Sequence, residues 1–452
     1  MTSREASQQL AVFSASGNTG YIIDTLEKIG KIGNDFDLDP IKNLLMHKSP
    51  EVRVLAIKNL AKSTDQNIVN LFINTYSNDT SSVVKREAVS AVGRQRNANN
   101  INFLIDTLKD SDPKIVCQAI RALLVFKNDK LVSSKLRLMS THENEMVRQI
   151  INKEFFAKKT SNEQTLKKHT HVDKNLSNVV VLGDVLDVMK HIDEDSVHLT
   201  FTSPPYYNAR DYSIYPSYTA YLDFLRDVFK DTYRITKEGR FLIVNTSPVI
   251  VPRISRAHSS KRYPIPFDLH SILTDIGWEF IDDIIWEKPE YSVKNRIGGF
   301  MQHRKPLAYK PNNVTEYIMV YRKKTDKLLD WNIHQYSIDI VKDSKVKNGF
   351  ETTNIWKIHP KSDKIHSAIF PVELCQKVIE YYSFKGDLVF DPFAGSGTLG
   401  RTAKSLNRKF LLAEKEPKYF DYMKSLIDKR TLFDDNSTKF LTLGEFKTDI
   451  NK

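Results

Sequence analysis

The chain has 452 residues, of which 27% are charged and 40% hydrophobic, and a formal net charge of +12. That length exceeds what one ordinary core supports, so two domains are expected, and the positive balance favours a polyanionic partner. Two cysteines, Cys117 and Cys375, exclude a disulfide framework or a thiolate zinc site, and no apolar stretch reaches the length of a membrane span. A soluble, cytoplasmic protein with no membrane partner is predicted.

The N-terminal third is repetitive. Glu51-Val52-Arg53-Val54-Leu55-Ala56-Ile57, Val83-Val84-Lys85-Arg86-Glu87-Ala88-Val89 and Lys114-Ile115-Val116-Cys117-Gln118-Ala119-Ile120 align with alanines 32 and 31 residues apart, and Ile150 in 145–151 continues the spacing at 31. Each unit follows another amphipathic segment, at 41–46, 68–76, 101–108 and 131–139, which predicts paired helices. Ser49-Pro50 and Asp112-Pro113 suit helix starts, where a missing N–H costs nothing. The array resembles HEAT-like α-solenoids, although its period is short for that family; an irregular helical bundle is the alternative. A helical repeat domain is expected over 1–157, followed by a polar linker over 158–176 and a second domain over 177–440.

In the second domain, 179–182 and 197–202 read as strands around a helix at 185–192, a crossover unit whose loops share one sheet edge. Further on, 224–232 reads as a helix, 240–244 as a strand, 267–275 as a helix and 280–286 as a strand. Next come a helix over 373–382, a strand over 388–390, a helix over 398–406 and a last strand over 410–413. This alternation predicts a doubly wound α/β domain, with ligands beyond the carboxyl ends of its strands.

Two loops carry chemistry. Asp391-Pro392-Phe393-Ala394-Gly395-Ser396-Gly397-Thr398 is a glycine-rich strand-to-helix turn that lets a ligand approach the backbone, and it lacks the lysine a phosphate-binding P-loop would need. Glu414 ends the next strand, where an acid can accept from ribose hydroxyls. Earlier, Thr202 leads into Ser203-Pro204-Pro205-Tyr206. An exocyclic amino nitrogen is a poor nucleophile, and acceptors aimed at its two N–H bonds draw it toward tetrahedral geometry. Ser203 Oγ and the Pro204 carbonyl suit that task, Pro205 stiffens the loop, and Tyr206 offers a stacking face to a base taken out of the duplex.

The two motifs, in this order, resemble those of the amino-methylating DNA methyltransferases of the permuted beta group. The resemblance implies a Rossmann-like domain using S-adenosyl-L-methionine, with residues 391–398 and Glu414 in the cofactor site. His366-Ser367-Ala368-Ile369-Phe370-Pro371 is similar to the motif that packs along the methionine end, and Asp184 to the acid that contacts the adenine amino group. Glu416 departs from the family pattern and is left outside the site. Serine at position 203 implies N4 of cytosine in double-stranded DNA as the target; aspartate there is usual for N6 of adenine. Carbon-5 methylation is excluded, because it needs a cysteine typically following proline, whereas Cys117 follows Val116 and Cys375 follows Leu374.

Target recognition is expected in basic, aromatic-rich stretches near 249–263 and 288–350, with Arg253, Arg256, Lys261, Arg262, Lys294, Arg296, Arg304 and Lys305 as DNA contacts. The resemblance also implies a prokaryotic setting, either restriction-modification, with a restriction endonuclease acting on the same site as partner, or epigenetic marking without one. An N6-adenine methyltransferase of the same architecture, an RNA substrate and a non-catalytic DNA-binding scaffold are the alternatives. No metal is expected.

Overall fold

A computed structural model describes residues 18–30, 32, 36–63, 67–156, 169–208, 215–251, 255, 257–258, 261–293, 306–307, 311–346, 349–361, 369–427 and 437–450. The chain divides into two compact units, Met1–Ser161 and Asn162–Lys452.

The first unit is helical. The paired segments form as the periodicity predicts, with Pro50–Leu60, Ser82–Arg94, Pro113–Leu123 and Glu145–Ile151 as the second helices and Pro50 and Pro113 in their first turns. A further helix, Thr19–Lys28, precedes them. Ala56, Ala88 and Ala119 are fully buried, and their fourth equivalent is Ile151 rather than Ile150. Ile151 is the buried one of the two, so the spacing runs 32, 31, 32. Helices Ser82–Arg94 and Pro113–Leu123 come so close that a Cβ on Gly93 would lie 2.6 Å from that of Ala122.

Each inter-helix turn also repeats a capping device that the hydrophobic pattern does not reveal. His47, Asp79, Asp110 and His142 each accept from the backbone N–H two residues on, at 3.1, 2.8, 2.8 and 3.0 Å. In the first and last of these turns an arginine six residues on, Arg53 or Arg148, donates to the carbonyl of that histidine at 2.7 Å. A polar group shortly before the second helix therefore fixes the chain's entry angle in every repeat.

The strands of the second unit are β1 Val179–Leu182, β2 Val197–Thr202, β3 Thr236–Thr246, β4 Val249–Val251, β5 Lys261–Tyr263, β6 Trp278–Glu287, β7 Thr315–Lys323, β8 Ile355–Lys357, β9 Leu388–Asp391, β10 Lys409–Glu414 and β11 Lys439–Thr442. Nine of them form one sheet of order β11-β1-β10-β9-β2-β3-β7-β6-β8, while β4 and β5 pair separately as a hairpin. From β11 to β3 all pairings are parallel, and β7 runs antiparallel to both β3 and β6. The parallel strands are covered on both faces: Val389, Phe410 and Leu412 face one apolar layer, while Leu388, Phe390, Leu411 and Ala413 face the other. This explains their unbroken apolar runs.

Several elements differ from the sequence reading. The helix at 224–232 is longer, Tyr218–Ile235, and β3 extends well beyond 240–244. The stretch 288–350 contains β7, a central strand rather than a recognition loop. The sheet does not end at 410–413, because β11 adds an edge strand beside β1 and helix Leu443–Ile450 follows it. Within the predicted linker, residues from 169 pack on this second unit: Leu176 is buried, and the His169 carbonyl lies 3.1 Å from His198 Nε2.

Candidate functional site

The sheet order puts β9 between β10 and β2, so the glycine turn after β9 and the Ser203 loop after β2 leave the same edge side by side. Thr202 Oγ1 donates to Asp391 Oδ1 at 2.7 Å, joining the last residues of the two strands although 189 positions separate them in sequence. Beyond that edge lies a cavity of about 740 Å³ lined by both loops.

On one side, Asp391, Pro392, Phe393, Ala394, Gly395, Ser396, Thr398, Glu414 and Asp184 line the cavity. Gly395 and Gly397 both have positive φ, 53° and 70°, as the turn requires. They differ in role. Gly397 is absent from the cavity wall, and a Cβ there would meet Met423 at 2.8 Å, so a larger residue would disturb helix packing rather than block a ligand. The Glu414 carboxylate receives N–H bonds from Gly395 and Glu416, each at 2.8 Å. Burial pushes Glu414 up to about 7 and Asp391 up to about 6, and no cation among the described residues is bonded to either. Two such carboxylates suit a ligand that brings hydroxyl or ammonium donors.

Other members of the set fall in different places. Asp184 lines the cavity and also caps helix Val185–Met189, accepting from Leu186 N at 3.0 Å. Phe370 stacks on Phe201 with centroids 4.6 Å apart and faces the cavity, whereas Pro371 sits at the start of helix Val372–Tyr382 and does not. Glu416, left out by the sequence reading, belongs to the wall through its adjacency to Glu414. His366 lies outside the described residues, as do Arg253, Arg256, Lys294, Arg296, Arg304 and Lys305. Lys261 and Arg262 are exposed on β5 of the β4–β5 hairpin, and neither lines the cavity.

Opposite the carboxylates stand Ser203, Pro204, Pro205 and Tyr206, together with Asn245, Trp286, Lys288 and Glu316. The last four escape the sequence reading because they are scattered over β3, the end of β6 and β7, and β7 itself is missed although 315–321 is a run of β-branched and aromatic residues that signals a strand. The Tyr206 hydroxyl donates to Glu316 Oε2 at 3.1 Å, Asn245 Nδ2 donates to the same oxygen at 2.6 Å, and Lys288 pairs with Oε1. Burial raises Tyr206 well above its ordinary value, which keeps it a neutral donor. Among the described residues no cluster of histidine, cysteine and carboxylates could hold a metal ion.

A profile of the DNA methylase family matches residues 197–425, half of the chain and the part that holds both loops. The chain belongs to that family. A HEAT-repeat profile matches residues 38–123. The orphan methyltransferase M.BamHII of Bacillus amyloliquefaciens is 30% identical over 51% of this chain and 89% of its own length. The type II beta methyltransferase M.BslI of Bacillus sp. (strain NEB-606) is 27% identical over 59% of this chain, which spans only 29% of that longer protein. The structure of a DNA modification methylase from Thermus thermophilus, complexed with S-adenosyl-L-methionine, superposes with a TM-score of 0.45 at 25% identity, covering 59% of this chain and 99% of that one. The methylase half and the helical unit are thus two separately recognisable modules.

Proposed function

We propose that this methylase transfers the methyl group of S-adenosyl-L-methionine to N4 of cytosine in double-stranded DNA. The Thr202–Asp391 hydrogen bond carries the reading, because it brings the cofactor-type turn and the amino-polarising loop to one cavity. The cofactor, when bound, supplies an electrophilic methyl group. Glu414 accepts from its ribose hydroxyls, Gly395 gives it access to the backbone, and Asp184 accepts from its adenine amino group. Phe370 packs along its methionine end.

On the other wall, Ser203 Oγ and the Pro204 carbonyl accept the two N–H bonds of the target amino group and turn its lone pair outward. Pro205 holds the loop rigid, and the Tyr206 ring faces the flipped base. Serine at position 203 supports cytosine over adenine. Lys261 and Arg262 on the β4–β5 hairpin grip phosphate, and Arg253, Arg256, Lys294, Arg296, Arg304 and Lys305 extend that basic surface. A restriction endonuclease acting on the same site is the expected companion, and the protein works in the cytoplasm on the nucleoid.

The test is to incubate the protein with duplex DNA and methyl-labelled cofactor, digest to nucleosides and identify the labelled one. N4-methylcytosine is expected. N6-methyladenine would overturn the assignment of the base, and no label in DNA would overturn the assignment of the reaction.

A further inference from the structure

A base taken out of a duplex loses its Watson–Crick partner, so its amino group gives up an acceptor and the ring nitrogen beside it gives up a donor. The pocket that receives it must replace both, because a buried polar group left unpaired is costly. The Ser203 loop supplies acceptors for the amino group. A donor for the ring nitrogen has to come from elsewhere on the same wall.

Strand register assembles that wall. Trp286 pairs with Glu316 across β6 and β7, and Lys288 N continues the ladder by donating to the Val314 carbonyl at 2.7 Å, so the three side chains leave one face of the sheet. Asn245 stands one residue past Val244, the register partner of Thr202, which puts it level with Ser203.

Most donors of this group are already committed. The Tyr206 hydroxyl donates to Glu316 Oε2 at 3.1 Å, Asn245 Nδ2 to the same oxygen at 2.6 Å, and Trp286 Nε1 to the Ile358 carbonyl at 2.8 Å. A carboxylate paired with an ammonium only accepts, so the Asn245 amide keeps its nitrogen on Glu316. Its Oδ1, buried and without a hydrogen-bond partner among the described residues, remains an acceptor. Lys288 is the exception among the donors. An ammonium has three N–H bonds, and Glu316 Oε1 is the one acceptor bonded to this one among the described residues; the centre of the Trp286 ring lies 4.6 Å away. The Lys288 side chain is only 16% exposed, and it lines the cavity with Ser203 and Tyr206.

Glu316 balances the charge of Lys288, so the wall offers a strong donor without net charge. That suits a neutral planar base better than a phosphate, and the rings of Trp286 and Tyr206 add apolar surface for it. We propose that Lys288 donates to the ring nitrogen beside the amino group of the extruded base, N3 of cytosine, and so selects amino bases over keto bases. In thymine and guanine the pattern is reversed: a carbonyl would meet the acceptors of Ser203, Pro204 and Asn245, and a ring N–H would meet the ammonium. Glu316 positions Lys288, and Asn245 and Tyr206 position Glu316. The proposal rests on the amino-methylation reading and holds in the same way for N1 of adenine.

A base analogue isolates the contact. The methylated sequence is first located by sequencing DNA modified by the full-length protein, and short duplexes then carry at the target either the natural base or its deaza analogue. The analogue is 3-deazacytosine, or 1-deazaadenine should the product be N6-methyladenine; each keeps the amino group and replaces the ring nitrogen by C–H. The protein partner is the variant Lys288→Met with Glu316→Gln, which removes the donor without leaving a buried charge unpaired.

In the unmodified protein the analogue is expected to lower kcat/KM at least about tenfold, as loss of a hydrogen bond to a charged group does. With the natural base the variant should fall by a similar factor, its cofactor Kd staying within about twofold. Exchanging natural base for analogue in the variant should then cost less than about threefold, because the donor is already gone. A wall merely loosened by substitution would keep the full penalty, and so would any effect of the analogue on the amino group itself. Equal penalties in the two proteins overturn the proposal, as does a cofactor Kd weakened more than about tenfold, which would give Lys288 to the cofactor. Should the paired substitutions fail to fold, Lys288→Met alone is read the same way, and a missing penalty in the unmodified protein overturns the proposal without any variant. Absence of any methyl transfer by the unmodified protein would instead defeat the reading on which the proposal rests.

Discussion

Strand β9 has a buried aspartate at each end, and the protein treats them in opposite ways. Asp387, just before the strand, meets the Arg240 guanidinium, the Tyr336 hydroxyl and the Phe384 N–H. Burial alone would push its pKa up, yet the Arg240 guanidinium, with hydrogen bonds from Tyr336 and Phe384, holds it below the usual carboxylate value. His198, pushed down to about 3 by burial, is neutral: its Nδ1 accepts from Leu388 N at 3.1 Å, so Nε2 carries the proton and faces the His169 carbonyl. At the other end Asp391 has only Thr202 Oγ1 and the Phe393 N–H among the described residues, and neighbouring Glu414 has only two N–H groups. Both carboxylates are pushed up. A buried charge whose partners are all supplied by the chain holds the fold; one left without a cation, at the wall of a cavity, leaves room for a ligand to complete it.

The comparison can be broken most forcefully at the saturated end. Asp387→Ala leaves the Arg240 guanidinium buried without its counter-ion, and a loss of about 3–5 kcal/mol of unfolding free energy is expected. Chemical denaturation checks this, and a loss below about 1 kcal/mol would show that Arg240 finds water or another acceptor. At the open end, Ser203→Ala should cost about a hundredfold in turnover while cofactor binding by calorimetry stays unchanged, because the lost acceptor acts chiefly as the nitrogen becomes tetrahedral. Full activity would remove Ser203 from the chemistry.

Glu414→Gln sharpens the contrast. The amide cannot match a carboxylate as acceptor for ribose hydroxyls, so cofactor affinity should fall about tenfold, and stability should fall by about 1–3 kcal/mol because the amide NH₂ would face the backbone N–H of Gly395 or Glu416. A raised acid pKa means that the folded state binds the extra proton, so stability falls as pH rises from the unfolded value to about 7. Hydroxyl donors favour the ionised form. Cofactor Kd in the unmodified protein should therefore weaken as pH drops below about 7, and the variant should lose that dependence. Identical pH profiles would detach Glu414 from the ligand.

The smallest expected effect belongs to the helical unit. A fragment of residues 162–452 retains residue 169 onward, which pack on the sheet, and should fold, bind cofactor and keep its target sequence. If the repeats add phosphate contacts, its DNA affinity should depend less steeply on salt. Arg53 is a poor candidate for such a contact, being held by Asp79 and the His47 carbonyl; Lys85, Arg86 and Arg121 remain. A changed target sequence in the fragment would place base recognition in the repeats.

What the sequence by itself determined is local or periodic. The paired helices follow from the apolar spacing, the parallel strands from their unbroken β-branched runs, and the two site loops from residues adjacent in the chain. The glycine turn is legible because Asp391 to Thr398 contains its own conformational demands, φ > 0 at Gly395 and Gly397. Register was less secure, as Ile150 and Ile151 show: adjacent isoleucines carry the same hydrophobic signal, and only packing selects the one that turns inward.

What only the tertiary structure decided is which distant residues share a wall. Glu316 lies on β7, Lys288 just past the end of β6 and Asn245 on β3, strands whose pairing is not local, and each reads alone as an ordinary polar residue. Gly397 looked like part of the ligand cradle, but the direction of its missing Cβ points it at Met423. The two glycines of the turn and the two aspartates that bracket β9 thus acquire different roles from what faces them across the sheet. A side chain's partners come from strand order and register, which hydrophobic burial fixes over the whole domain rather than within any one segment.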